Sequence, residues 1–356
     1  MALLFKEYTF KHFTLRNRIV VSPMCQYSAE NGYANNWHLV HLGQYALGGA
    51  GAIIQEATAV SPEGRISYGD LGIWEDGHIE KYKEITKFIK ENGAVPGIQL
   101  AHAGRKASTE KIWIGRNQIS KNNPNGWQTI GPSDFPFNEE DEAPLAMTKE
   151  DIERVKNDFV QGAKRAIDAG YQIIELHAAH GYLMHQFLSP LVNCRTDEYG
   201  GSFENRVRFV LEITDAVKKV ITNQSLWVRI SATDWKEGGW DVNQSVALAK
   251  LLKEKGVELM DVSSGGAVRG QKITVGPNYQ VPFADRVKNE AAIPTGAVGM
   301  ITEAQQAENI LQEGKADLIL LARKMLREPY FPLHAANELG VEVKWPNQYE
   351  RGKETY

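Results

Sequence analysis

Short apolar runs recur along the chain, and the segments between them carry apolar residues at helical spacing. Runs without polar alternation are typical of parallel strands that are buried on both faces. The predicted strands are residues 19–23, 51–58, 94–100, 171–176, 226–231, 257–263, 293–299 and 317–321. Four of these runs end at a serine, a glycine or a proline, which indicates a turn or a loop at that point.

Amphipathic helices are predicted between the strands, at residues 37–47, 76–92, 148–169, 204–220, 242–255, 283–289 and 302–313. Eight strands that alternate with helices predict a single-domain α/β fold, the (β/α)8 TIM barrel. A doubly wound open sheet is the alternative fold. It would need a Gly-x-Gly-x-x-Gly turn after the first strand, where this chain has Ser22-Pro-Met-Cys25.

Residues 107–146, which follow the third predicted strand, interrupt the alternation. The segment is rich in Asn, Pro, Gly and Trp, and it contains an acidic run at residues 139–142. A loop of this length inside a domain often forms a lid or a small subdomain over a site. The sequence leaves open whether the excursion covers a site or is a solvated insertion without a role.

The composition limits the classes of molecule that the protein is expected to bind. Of the 356 residues, 42% are hydrophobic and 24% are charged, as in ordinary globular proteins, and the formal net charge is -4. We therefore expect neither nucleic acid nor a membrane surface as a partner. No apolar run approaches the ~20 residues of a membrane span, and residues 1–6 lack the pattern of a signal peptide. The two cysteines, Cys25 and Cys194, fit the reducing cytoplasm.

Two histidines and a tyrosine follow the fourth predicted strand, in the order His177-Ala-Ala-His180-Gly-Tyr182. Parallel strands present their C-terminal ends to ligands. A lone histidine is more often a buried structural residue, but three such groups within six positions indicate a site. Taken alone, this turn suits either a metal site or a proton-transfer pair.

The other predicted strand ends add neutral polar groups, glycines and arginines. They are Cys25 and Tyr27, Ala57, Gln99 and His102, Arg229, Ser263 to Gly266, Gly296 to Gly299, and Arg323. Glycine-rich turns at the last strands let a backbone approach a phosphate, and the guanidinium of Arg323 matches phosphate oxygens. Arg229 stands among apolar residues and needs an anion or a delocalised negative charge. This set suits a planar cofactor with a phosphate tail better than a metal, since no carboxylate ligands are expected near His177 and His180.

Five motifs together resemble a known family. They are residues 22–27 (Ser-Pro-Met-Cys-Gln-Tyr), residues 99–106, residues 177–182, residues 195–206 and the terminal Tyr349-Glu-Arg351-Gly. In this order they resemble the Old Yellow Enzyme family, most closely its bacterial YqjM-like, thermophilic-type branch. The resemblance extends over essentially the whole chain, and Cys25 and the terminal motif distinguish this branch from other members.

The resemblance implies FMN, bound without a covalent bond at the mouth of the barrel. The flavin ring would contact Ser22, Pro23, Met24, Cys25, Ala57 and Gln99, and the phosphate would contact Gly265, Gly266, Gly299, Ala322 and Arg323. Arg229 would lie at the pyrimidine end of the ring, where a fixed cation stabilises the reduced flavin. Cys25 would lie beside the flavin and tune its potential.

The resemblance also implies the reduction of activated alkenes by NADPH or NADH with ping-pong kinetics. The substrates of such enzymes are α,β-unsaturated aldehydes and ketones, maleimides and nitro compounds. His177 and His180 would bind the substrate oxygen, and Tyr182 would protonate the α-carbon after the flavin delivers hydride to the β-carbon. Tyr27 and Lys106 would contact the substrate.

Residues 340–356 are expected to form a C-terminal extension. Arg351 matches an arginine that in this branch reaches into the site of the neighbouring subunit. A homodimer or a dimer of dimers with shared sites is therefore implied.

Two other functions remain open from the residues themselves. One is a flavin-free barrel that acts as an isomerase or lyase on a phosphorylated substrate, although the strand ends offer neither a Schiff-base lysine nor a carboxylate base. The other is a non-catalytic protein that binds a ligand at the barrel mouth.

Overall fold

The computed structural model describes residues 2–115 and 117–353, and in these residues eight parallel strands close into a barrel. The strands are β1 (Ile19–Val21), β2 (Ala52–Ala59), β3 (Val95–Ala101), β4 (Ile173–Ala178), β5 (Ser225–Ser231), β6 (Leu259–Ser263), β7 (Thr295–Ala297) and β8 (Leu318–Leu321). Each strand pairs in parallel with the next, and β8 pairs with β1 to complete the ring. The predicted (β/α)8 barrel is confirmed.

Helices surround the barrel. They are α1 (Asn36–Leu47), α2 (Ile79–Glu91), α3 (Lys149–Asp168), α4 (Leu183–Leu188), α5 (Phe203–Lys218), α6 (Val242–Glu254), α7 (Val281–Ala291), α8 (Ala304–Gln312), α9 (Arg323–Arg327) and α10 (Phe331–Glu338). The predicted helices correspond to α1–α3 and α5–α8, whereas α4, α9 and α10 are not predicted. No helix within the described ranges combines the length and the apolar character that crossing a membrane requires.

Apolar side chains fill the barrel at the N-terminal ends of its strands. Trp227 of β5 is fully buried there, and its ring centroid lies 5.4 Å from that of Phe10. Phe10 belongs to a small hairpin, Tyr8–Thr9 paired with Thr14–Leu15, which packs into the same cluster. Because this end is apolar and filled, the polar residues of the barrel gather at the opposite, C-terminal mouth.

The excursion of residues 107–146 is fastened to that mouth by Arg105. The Arg105 side chain is buried, and its guanidinium donates hydrogen bonds to the carbonyl oxygens of Phe135 (3.3 Å) and Pro136 (3.2 Å) in the excursion. It also donates to the carbonyl oxygen of Ala267, 2.9 Å away, in the loop after β6. A buried cation with these acceptors holds the excursion against the barrel.

Candidate active site

The end of β4 and the turn after it bring together the three groups that the sequence singles out. The ring centroid of His177 lies 5.2 Å from that of His180 and 5.0 Å from that of Tyr182. Nε2 of His180 lies 2.8 Å from Oγ of Ser263, at the end of β6, and the His180 backbone N–H donates to Oγ of Ser231 at 2.9 Å. Hydrogen bonds to two neighbouring strands therefore orient His180.

Two glycines allow this turn to pack against the loop after β6. Gly181 has φ 75° and Gly266 has φ 95°, in the region that glycine favours. A Cβ at Gly181 would collide with the carbonyl oxygen of Gly266, and a Cβ at Gly266 would lie 2.5 Å from the carbonyl carbon of His180. The close approach that Gly266 permits is thus with the histidine turn, while its predicted contact with a phosphate stays a prediction.

A buried network beneath the turn is missed by the sequence analysis. The backbone N–H of Gly181 donates to Nδ1 of His185 at 2.9 Å, and Nε2 of His185 lies 3.0 Å from Oδ1 of Asp234. The amide of Gln186 donates to the carbonyl oxygen of Gly181 at 2.7 Å. The available signal was the polar pair at positions 185–186 inside an otherwise apolar segment.

Burial sets the protonation states in the site. It is the main cause that lowers the pKa of His177 and of His180 well below the usual range, and the positive charge of Arg229 lowers both further. Burial also raises the pKa of Tyr182 above that of an ordinary tyrosine. At neutral pH the turn therefore presents two neutral imidazoles and a protonated phenol.

Carboxylates lie in the same part of the barrel, which corrects the expectation that acids are absent near the histidines. Arg229 pairs in register with His177 on β4 and with Asp261 on β6, and its Nε lies 3.0 Å from Oδ2 of Asp261. The side chain of Gln99 donates to Oε1 of Glu175 at 2.8 Å. Burial raises the pKa of both Glu175 and Asp261. These acids are not predicted from the sequence, because each lies in a strand that otherwise appears as an apolar run.

These acids do not form a metal centre. Over residues 2–115 and 117–353, no group of three or more His, Cys, Asp or Glu side chains is arranged to hold a metal ion.

A cavity of about 190 Å³ lies at the ends of β7 and β8 and suits a phosphate. Gly299, Ala322 and Arg323 line it, as do Lys324 and Arg327, and none of its described lining residues is acidic. Cationic side chains together with a glycine turn are the chemistry that binds phosphate oxygens.

The residues expected at the flavin ring lie beside one another. Ala57 of β2 pairs with Gln99 of β3, and the backbone N–H of Ser22 donates to the carbonyl oxygen of Leu321 at 2.9 Å. Within the described chain, Oγ of Ser22 and Nδ1 of His177 are buried without a hydrogen-bond partner. Because buried polar atoms normally have partners, these two atoms favour a polar ligand at the barrel mouth.

A second cavity, of about 460 Å³, opens between the barrel mouth and the excursion. Tyr27, Lys106 and Tyr182 line it together with Phe137 and further residues of the excursion. Nζ of Lys106 donates to the carbonyl oxygen of His180 at 2.7 Å and lies 4.5 Å from the centroid of the Phe137 ring. Burial and the nearby arginines lower the pKa of Lys106 to about 7. The excursion thus forms one wall of a pocket over the predicted site.

Arg351 lies apart from these groups, on the exposed 3-10 helix Asn347–Gly352. It lines neither cavity described above. Its contact with a neighbouring subunit stays a prediction, and residues 354–356 of the predicted extension lie outside the described residues.

Comparison with known proteins gives a match over nearly the whole chain. Residues 3–342 match the model of the NADH:flavin oxidoreductase / NADH oxidase family. An NADPH dehydrogenase of Geobacillus thermodenitrificans is 51% identical over 352 residues, which are 98% of this chain and 98% of that protein.

Solved structures agree with this match. Morphinone reductase superposes with a TM-score of 0.78 at 27% identity, covering 97% of this chain and 92% of that one. A 2-naphthoyl-CoA reductase superposes with a TM-score of 0.85 over 95% of this chain. At 24% identity that likeness concerns the fold, and this chain spans about half (52%) of the length of that protein.

We expect Gly181→Ala to destabilise the protein more than Gly201→Ala does. Both glycines have positive φ, but a Cβ at Gly201 meets nothing within 4 Å, whereas one at Gly181 meets Gly266. The backbone cost alone is about 1 kcal/mol, and the collision adds roughly 1–3 kcal/mol. Urea unfolding of both variants measures the difference, and equal losses would show that the contact between the two turns is unimportant.

Proposed function

The chain belongs to the NADH:flavin oxidoreductase / NADH oxidase family, as its resemblance to the Old Yellow Enzymes predicts, and we propose that it reduces the C=C bond of activated alkenes. Family membership and the 51% identity with an NADPH dehydrogenase make it an FMN-dependent oxidoreductase that uses NAD(P)H. The proposed substrates are α,β-unsaturated aldehydes and ketones, maleimides and nitro compounds. The observation that supports this reaction best is the cluster of two neutral imidazoles and a protonated phenol.

The polar groups at the mouth fit FMN at both of its ends. In this proposal Gly299, Ala322 and Arg323 hold the phosphate. As the resemblance implies, Gly265 and Gly266 also contact the phosphate, and Ser22, Pro23, Met24, Cys25, Ala57 and Gln99 contact the ring. Arg229 contacts the pyrimidine end, held in place by Asp261. When bound, FMN accepts hydride from NAD(P)H and delivers it to the β-carbon of the alkene.

His177 and His180 bind the oxygen of the activating group in this proposal. As neutral imidazoles they donate N–H hydrogen bonds without transferring a proton. A hydrogen bond to the oxygen withdraws electron density from the alkene, so the β-carbon becomes electrophilic. A polarised substrate is therefore ready for hydride transfer.

Tyr182 supplies the proton. Its raised pKa keeps the phenol protonated at neutral pH, and its ring lies beside that of His177. A phenol held at this place protonates the α-carbon as negative charge develops there.

The pocket under the excursion holds the rest of the substrate. Tyr27 and Lys106 line it next to Tyr182, so we assign both to substrate binding. From the resemblance, we further propose a cytoplasmic homodimer or dimer of dimers in which Arg351 completes the site of the neighbouring subunit.

The family match favours this reaction over the alternatives left open by the sequence. A flavin-free isomerase or lyase would not account for a match to a flavin oxidoreductase model over residues 3–342. A non-catalytic binding protein fits poorly with whole-chain similarity to an NADPH dehydrogenase.

The purified protein is expected to be yellow and to lose its visible flavin absorption when NADPH is added without oxygen. Addition of 2-cyclohexenone should then restore the absorption. A colourless protein that FMN cannot reconstitute would refute the proposal, as would reduced flavin that no activated alkene reoxidises. Titration with NADH in parallel measures which nicotinamide is preferred.

Replacing both histidines, His177→Ala with His180→Ala, is expected to weaken the binding of phenol-type ligands while FMN stays bound. Each lost hydrogen bond to a ligand oxygen costs about 1 kcal/mol, so the affinity should fall roughly 10- to 100-fold. Ligand titration followed by the flavin spectrum measures this. Loss of the flavin itself would show that the pair supports the cofactor instead of the substrate.

Tyr182→Phe is expected to slow alkene reduction by about 100-fold or more, the usual effect of removing a general acid. Oxidation of NADPH by oxygen should change little, because that reaction needs no proton on the alkene carbon. The two rates are compared in one preparation of the variant. An equal decrease in both would exclude Tyr182 as the proton donor.

A further inference from the structure

β2 contains a bulge that turns one buried acid away from the regular ladder. Gln55 pairs with Ile98 of β3, but Ala57 already pairs with Gln99, so Glu56 is an extra residue in β2. A bulge of this kind changes the direction in which a side chain points, and bulges are common next to active sites. Glu56 is 4% exposed, so its carboxyl group requires partners inside the protein.

The partners of Glu56 lie on the loop after β1 and on α1. Oε2 of Glu56 accepts the backbone N–H of Gln26 at 2.7 Å. Oε1 lies 3.6 Å from Nε2 of His38. Nδ1 of His38 accepts the backbone N–H of Asn35 at 3.1 Å, so Nε2 is the ring nitrogen that faces the carboxyl group.

The loop that Glu56 contacts is the one that carries Cys25 and Tyr27. The loop is tied at its ends, where the N–H of Ser22 donates to β8 and the N–H of Ala29 donates to the carbonyl oxygen of Gly69 at 2.8 Å. Tyr27 has φ 51°, a conformation that costs energy for a residue with a Cβ. The hydrogen bond from Gln26 to Glu56 lies between these end ties and directly before the strained residue.

We propose that Glu56 is a positioning residue that fixes the segment from Cys25 to Tyr27 through the N–H of Gln26. One carboxyl group then sets the place of the thiol that faces the flavin and of the phenol that faces the substrate. The inference rests on the proposed function in one respect, because that function assigns Cys25 to the cofactor and Tyr27 to the substrate.

The proposal requires a hydrogen-bond acceptor at the end of a side chain of this length. Glu56→Gln keeps an oxygen that accepts from Gln26. Glu56→Ala leaves the N–H without a partner, and Glu56→Asp withdraws the acceptor by one methylene group. The buried N–H without an acceptor is unfavourable, so the segment would leave its place.

The test uses the holoenzyme in a Cys194→Ser background, in which Cys25 is the remaining cysteine. Three quantities are measured for each variant: the rate at which iodoacetamide alkylates Cys25, the visible flavin spectrum, and KM and kcat for one alkene. Glu63→Ala is the matched control, because Glu63 follows the same strand but pairs with Arg154 on α3.

Glu56→Ala and Glu56→Asp are expected to alkylate about tenfold faster, to shift the flavin band and to raise KM more than they lower kcat. Glu56→Gln and Glu63→Ala are expected to keep the alkylation rate, KM and kcat within about twofold of the parent and to leave the flavin band in place. Parental values in Glu56→Gln would show that the side chain acts as a hydrogen-bond acceptor and that its negative charge is not required.

Two results would overturn the inference. One is that Glu56→Ala and Glu56→Asp both keep the parental alkylation rate, flavin spectrum and kinetic constants. The other is that Glu56→Gln changes these quantities as much as Glu56→Ala does. If Glu56→Ala does not fold, Glu56→Asp still decides between these results. A parent protein without alkene reduction would instead refute the proposed function, and the alkylation contrast would still test the role of Glu56.

Discussion

Exclusion of water from the barrel mouth is the constraint on which the site depends. The same burial is the main cause that lowers the pKa of His177 and His180 and raises that of Tyr182, so the site holds two neutral donors and a phenol that keeps its proton. A ring of strands provides this environment because it has no open edge. Trp227 and its neighbours fill the opposite end, which leaves one mouth for ligands. Protonation state is therefore a consequence of the fold.

The strands are predictable because each is buried on both faces and so appears as an apolar run. Their bounds shift by only a few residues, and the alternation with α1–α3 and α5–α8 is enough to give the barrel. The pattern fails for α4, Leu183–Leu188, because all of its residues are buried and no polar face marks its period. The hairpin of Tyr8–Thr9 and Thr14–Leu15 is too short to leave a periodic signal.

The site is predictable at the end of the fourth strand, where its polar groups cluster, and is incomplete for the acids that stand inside apolar strands. His177, His180 and Tyr182 are visible because polar groups cluster at one strand end. Glu56 and Asp261 stand inside apolar strands, and only the three-dimensional pairing reveals what they contact. The sequence indicates that another group approaches the backbone closely at Gly266. It does not indicate whether that group is a phosphate or, as the structure has it, the turn at His180.

The guanidinium of Arg105 fixes the position of the excursion relative to the barrel. One buried side chain holds carbonyl oxygens from the excursion and from the loop after β6, so the wall of the pocket is fixed to two parts of the barrel. The excursion contributes residues such as Phe137 to the wall of the pocket, whereas the groups to which we assign the proton and hydride chemistry lie at the strand ends. In the proposed function, part of the substrate pocket thereby lies in a different segment of the chain from the reacting groups, so that this part of the pocket can change in evolution while the reacting groups stay the same.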